Sequence, residues 1–78
     1  MDRFLLPGFN TGIIIKLKSG FSFEFDSDKR NPLDDITIIN GVLYLDETDF
    51  KVDINKVASI ECFDNDQELE DMPYIEFI

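Results

Sequence analysis

Histidine and tryptophan are absent from this chain, cysteine occurs once, and the bases number 7 against 17 acids. Each shortage excludes something. Without histidine the chain lacks the commonest metal ligand and the side chain best suited to proton transfer near neutral pH. A single thiol, Cys62, rules out an internal disulfide and an all-cysteine metal site, and points to a reducing compartment. The four glycines make no phosphate-cradling loop. No run approaches the roughly 18 apolar residues of a membrane helix. The opening Met1–Phe9 has too short an apolar stretch for a secretory signal. The expected location is the cytoplasm, with no cofactor.

What is present is a core and a charge. Hydrophobic residues make up 44% of the 78 positions, eight of them Phe, which is too apolar for a disordered tail. A chain of this length forms one domain, 1–78, with a thin core. Its net charge is −10, unevenly spread. Residues 61–78 contribute Glu61, Asp64, Asp66, Glu68, Glu70, Asp71 and Glu76 without a single base. A field of that sign repels nucleic acids and anionic membranes and attracts basic protein surfaces.

Alternation with a period of two runs through most of the chain and predicts half-buried antiparallel strands. Ile13, Ile15 and Leu17 alternate with Ile14, Lys16 and Lys18, Ser19-Gly20 turns the chain, and Phe21, Phe23 and Phe25 alternate with polar residues. Both sets are expected on buried faces. A second hairpin runs from Asp35 to Asp46 around Asn40-Gly41, the pair that favours a type I′ turn. With those two as the loop, Ile39 faces Val42 and Ile38 faces Leu43. Ile36, Ile38, Leu43 and Leu45 then form the core side, leaving Ile39, Val42 and Tyr44 on the other.

Between the hairpins, Ser27–Asp34 reads as a polar loop in which Pro32 ends regular structure. Phe50–Ile54, Val57–Phe63 and Tyr74–Ile78 each alternate, the last as an edge strand, with a turn or 3-10 segment at Asn55-Lys56. Asn65 and Glu68 fit a capping box, so at most one short helical turn is expected near 65–71 before Pro73. The fold class is all-β and mainly antiparallel, a small barrel or curled sheet of five or six short strands. Ile14-Ile15-Lys16-Leu17-Lys18-Ser19-Gly20 with Phe21–Phe25 resembles the opening hairpin of SH3-like and Sm-like barrels. Lys56–Glu61 resembles their closing strand. The chain departs from an Sm-like RNA site, which needs basic loops where these are acidic.

Asp26-x-Asp28 and Asp64-x-Asp66-x-Glu68 resemble the start of a calcium loop, which also needs glycine at its sixth position and glutamate at its twelfth. Those positions hold Asn31 and Thr37 in one case and Leu69 and Ile75 in the other, so no metal site is expected. Asp34-Asp35 and Asp46-Glu47 are the carboxylate pairs open to acid–base work, but neighbours on a strand point to opposite faces. Catalytic residues are therefore not expected, and the chain reads as a non-enzyme. Carboxylates beside Cys62 disfavour a reactive thiol.

The acidic segment carries the leading functional expectation. Alternate residues of a strand lie about 6.5–7 Å apart, close to the phosphate spacing along one DNA strand. The chain is expected to be an inhibitor or regulator docking an acidic face on a basic, nucleic-acid-binding surface of a partner enzyme. In size and charge it is similar to phage and mobile-element proteins of the DNA-mimic and anti-CRISPR kind. Glu61, Asp64, Asp66, Glu68, Glu70 and Asp71 would stand in for phosphates, with Tyr74 and Phe77 as apolar anchors. The alternative is a structural module that self-associates, a homodimer included, through Ile39, Val42 and Tyr44, its charge serving solubility.

Overall fold

The computed structural model describes residues 10–67 and 71–77. Seven strands form, each on a segment with the alternation described above: β1 (Thr11–Leu17), β2 (Ser22–Ser27), β3 (Ile36–Ile39), β4 (Val42–Leu45), β5 (Lys51–Asp53), β6 (Val57–Asp64) and β7 (Tyr74–Glu76). They make two antiparallel sheets, ordered β2-β1-β6-β7 and β3-β4-β5. The domain is thus all-β. Its helical content among the described residues is two 3-10 turns, Pro32–Asp35 and Ile54–Lys56.

Turn chemistry sets the connections. Leu17 to Phe21 closes the first hairpin, with the Gly20 N–H donating to the Leu17 carbonyl at 3.0 Å and Gly20 at φ 105°. Asn40 and Gly41 take φ 54° and 77°, the positive pair a type I′ turn requires. The register follows: Ile39 opposite Val42 and Ile38 opposite Leu43. Pro32 does not break structure but begins it. Asn31 caps a 3-10 turn by accepting the Leu33 N–H at 3.1 Å, and Pro32 occupies the first position, where no N–H is needed.

The core lies between the sheets. Ile13, Ile15, Leu43, Leu45, Val57 and Ile60 are buried, with Phe25, Phe50, Val52, Cys62 and Ile75 packed around them. Between Lys16 and Leu17 the β1–β6 register slips, pairing Lys16 with Ser59 but Leu17 with Val57. The bulge turns Val57 inward alongside Ile60. Three expectations fail at the margins. Phe21 is 71% exposed and Phe23 40%, because β2 is an edge strand and Phe21 lies in the turn before it. The Phe50 ring reaches out to Phe23, at 5.2 Å. Ile38 is 48% exposed although it shares a face with buried Leu43, since it sits on edge strand β3 beside the turn.

The expected helical turn near 65–71 gives way, in its described part, to a tight turn. The Asp64 carboxylate accepts the Asp66 N–H at 2.9 Å, the Gln67 N–H donates to the Asp64 carbonyl at 3.2 Å, and Gln67 takes φ 57°. A positive φ there takes the chain out of helical geometry. Residues 68–70 of that expectation lie outside the described residues.

Candidate functional site

An inner strand of the larger sheet, β1, organises the acidic surface. Gly12, Ile14 and Lys16 point away from the core, and their neighbours across the sheet follow from the register. Ile14 stands between Glu24 and Glu61, Gly12 between Asp26 and Phe63, and Lys16 between Ser22 and Ser59. On the far side Tyr74 opposes Glu61, and Glu76 opposes Ser59. The outer face therefore carries Glu24, Asp26, Glu61 and Glu76 with exposed Tyr74. Lys16 offsets one of them by bridging Glu61 at 2.9 Å.

At the Thr11 end of the strands the acids accumulate further. Thr11 pairs with Ser27 on one side and Asp64 on the other, so the ends of β2 and β6 lie about 10 Å apart across it. Asn10 ties this end together. Its carbonyl accepts the Asn65 N–H at 2.8 Å, and its side-chain amide donates to Asp66 at 3.4 Å. Beside it opens a cleft of about 770 Å³, lined among others by Asp26, Asp28, Asp35, Asp46 and Glu47. Lys29 lies within it, paired with Asp35. The hydrogen bond that Lys29 donates to Asp35, aided by the charges of Asp35, Asp28 and Glu47, raises the Lys29 ammonium above its usual 10.5. Asp35 is further held by the Ser27 hydroxyl at 2.8 Å, and Asp46 by the Thr37 hydroxyl at 2.8 Å.

The sequence-derived candidates are thus separated by role. Glu61 and Tyr74 lie on the outer sheet face, and Asp64 and Asp66 lie at the acidic end. Asp71 is exposed at φ 57°. Phe77 is half-buried against the core, and its N–H donates to the Ala58 carbonyl at 2.9 Å, so its first role is to seat β7. Glu68 and Glu70 lie outside the described residues. Sequence reasoning missed Asp26, Asp28, Asp46 and Glu47, which were weighed only for calcium or catalysis. No local signal marks them: β1 brings the ends of β2 and β6 together, and the turn after β4 lines the same cleft.

No known family, curated protein or solved structure matches this chain. The surface must be read from its chemistry. Among the described residues, no three of the acids or Cys62 come close enough to hold a metal ion. No helix of the described residues is long and apolar enough to cross a membrane. Asp34-Asp35 and Asp46-Glu47 lie in a 3-10 turn and a tight turn rather than on strands, which is why Asp35, Asp46 and Glu47 meet at one cleft. Cys62 shares its face with Ile60, as expected, and burial pushes its thiol above the usual 9.0 against a weaker pull from the Leu33 backbone.

The smaller sheet has a different outer face. Ile39 is 54% exposed and Tyr44 38%, with Val42 half-buried between them. Tyr44 pairs with Lys51 and Val42 with Asp53, so this face is apolar with one base and one acid at its margin.

Proposed function

We propose that this chain is a non-enzymatic inhibitor or regulator that docks its acidic end on a basic, nucleic-acid-binding surface of a partner enzyme in the cytoplasm. The supporting observation is the convergence of carboxylates from separate segments, Asp26 at the end of β2 and Asp28 just after it on one side of β1, Asp64 and Asp66 on the other, with Asp46 and Glu47 beside them. Charges dispersed only for solubility need no such gathering. Glu24 and Asp26 alternate on strand β2, about 6.5–7 Å apart, a spacing that suits a surface built for phosphates. The reading matches the DNA-mimic and anti-CRISPR proteins that its size and charge resemble.

The test is capture from a bacterial lysate at about 100 mM and about 500 mM salt, which shortens the screening length from roughly 10 Å to below 5 Å. Recovery of a nucleic-acid-binding protein at low salt and its loss at high salt is expected. Changing exposed Asp26, Asp28, Glu47 and Asp66 to amides is expected to weaken that partner's binding by tenfold or more, on the order of 1.4 kcal/mol. Unchanged affinity rejects the reading.

The exposure of Ile39 and Tyr44 supports a second reading, a structural module that assembles through the outer face of the smaller sheet. Sedimentation at several concentrations tests it, with Tyr44→Lys expected to return the protein to monomer.

A further inference from the structure

Among the described residues the two sheets leave four edge strands, β2, β7, β3 and β5. Three of them are blunted in ways that discourage further pairing. β5 and β7 have three residues each, with Lys51 on the first and Pro73 just before the second. β3 has four, and a 3-10 turn leads into it. β2 has none of these guards. Its six residues, Ser22–Ser27, include no lysine or proline and pair with β1 in an unbroken register. The Leu17 N–H donates to the Phe21 carbonyl at 2.8 Å. An antiparallel ladder alternates from there, so the N–H and C=O of Phe23 and Phe25 face β1, while those of Ser22, Glu24 and Asp26 face the free edge. Among the described residues no strand pairs with them. The side chains alternate too. Glu24 and Asp26 are exposed on the outer face, and Phe23, on the inner face, is 40% exposed where the smaller sheet does not reach.

We propose that β2 takes up an extended segment of the partner as an added strand, one in which basic residues alternate with apolar ones. The inference rests on the basic partner proposed above and names the segment that partner offers. Charge complementarity selects the occupant. Residues opposite Glu24 and Asp26 share their face, so bases there form cross-strand ion pairs. The apolar residues between those bases fall on the inner face beside Phe23 and cover it. Backbone hydrogen bonds to Ser22, Glu24 and Asp26 supply an attraction that dispersed surface charge does not. A second copy of this chain fits badly. Two β2 strands in full overlap set acids against acids, with no base on either to relieve them.

The probe is a synthetic peptide of about nine residues, alternating Lys and Val, long enough to span β2. At about 100 mM salt it is expected to bind the full chain and to slow hydrogen exchange at the Ser22, Glu24 and Asp26 amides by about tenfold or more. N-methylation of its lysines, whose N–H groups face β2 in this pairing, is expected to weaken binding by about tenfold or more. N-methylation of its valines, whose N–H groups face away, is expected to change binding little, although both peptides keep the same charge. Glu24→Lys with Asp26→Lys, at exposed positions, is expected to lose the peptide and to gain one of alternating Glu and Val. Equal effects of the two methylations, or no binding at all, overturn the added strand. The lysate capture and amide variants above test the acidic docking surface separately, so the two failures are distinct. A sedimenting mass of the chain alone that rises with concentration, and falls back when the peptide is added, assigns β2 to a second copy and overturns the proposal.

Discussion

At Gly12 any side chain meets its neighbours in the sheet. The glycine has ordinary strand geometry but no room. A Cβ there stands 2.7 Å from the Phe25 carbonyl oxygen and 2.8 Å from Cε1 of Phe63, whose ring lies over the glycine. Phe63 shields backbone that a side chain would otherwise cover. Gly12→Ala is expected to cost about 1–3 kcal/mol in denaturant unfolding. Truncating Phe63 as well is expected to restore only part, since the backbone oxygen cannot yield. Next to it, fully buried Thr11 donates its hydroxyl to the Lys29 carbonyl at 2.7 Å, with that of Ser27 at 3.2 Å. Titration adds an alkaline signature. The Cys62 thiol and the Lys29 ammonium both hold their protons more tightly when folded. Their contributions are complete below 9.0 and 10.5 and are lost as pH rises past those values toward the folded ones. Thermal unfolding is expected to fall in Tm above about pH 9. Cys62→Ala removes the earlier part of that decline and Asp35→Asn the later.

The hairpins are the elements most legible in the linear order, because a turn and the alternation beside it are local. Asn40-Gly41 specified both turn type and register. Gly41 has φ 77° with its nearest neighbour, Ile54, 4.0 Å from the position of a Cβ, so space is not the constraint there. Gly41→Ala is therefore expected to cost about 1–2 kcal/mol from backbone conformation alone. Asn40→Gly is expected to change little, and a denaturant series on both variants separates strain from packing. The 3-10 turn at Pro32–Asp35 was less legible. Proline read as a breaker, yet with Asn31 before it the same pair is a cap and a first position. The acidic turn after β6, where at most one short helical turn was expected, is not helical in its described part. Asn65 and Glu68 fit a capping box, but Asp64 takes the Asp66 N–H first.

At the scale of the molecule, a charge of −10 on a small domain opposes compaction by self-repulsion. Screening it is expected to stabilise the fold, with Tm rising by a few degrees, about 4–8 °C for each kcal/mol, between about 20 and 300 mM salt. The same salt is expected to weaken capture of a basic partner, so stability and binding respond with opposite sign. A Tm that falls with salt shows that local ion pairs such as Lys16–Glu61 outweigh the repulsion.

Composition, alternation and turn residues were enough to determine an antiparallel all-β domain, its hairpins and their register, since each depends on residues a few positions apart. Which strands flank β1 was not written locally. Pairing of β1 with β6 joins residues some fifty positions apart, and that pairing alone brings Asp64 and Asp66 to the end of the sheet where Asp26 and Asp28 lie. Burial at the margins was likewise decided by the edges. Phe21, Phe23 and Ile38 follow the alternation of core residues but lie where the opposing sheet does not reach. A period of two assigns a side chain to a face. Only the packing of one sheet on another decides whether that face is covered.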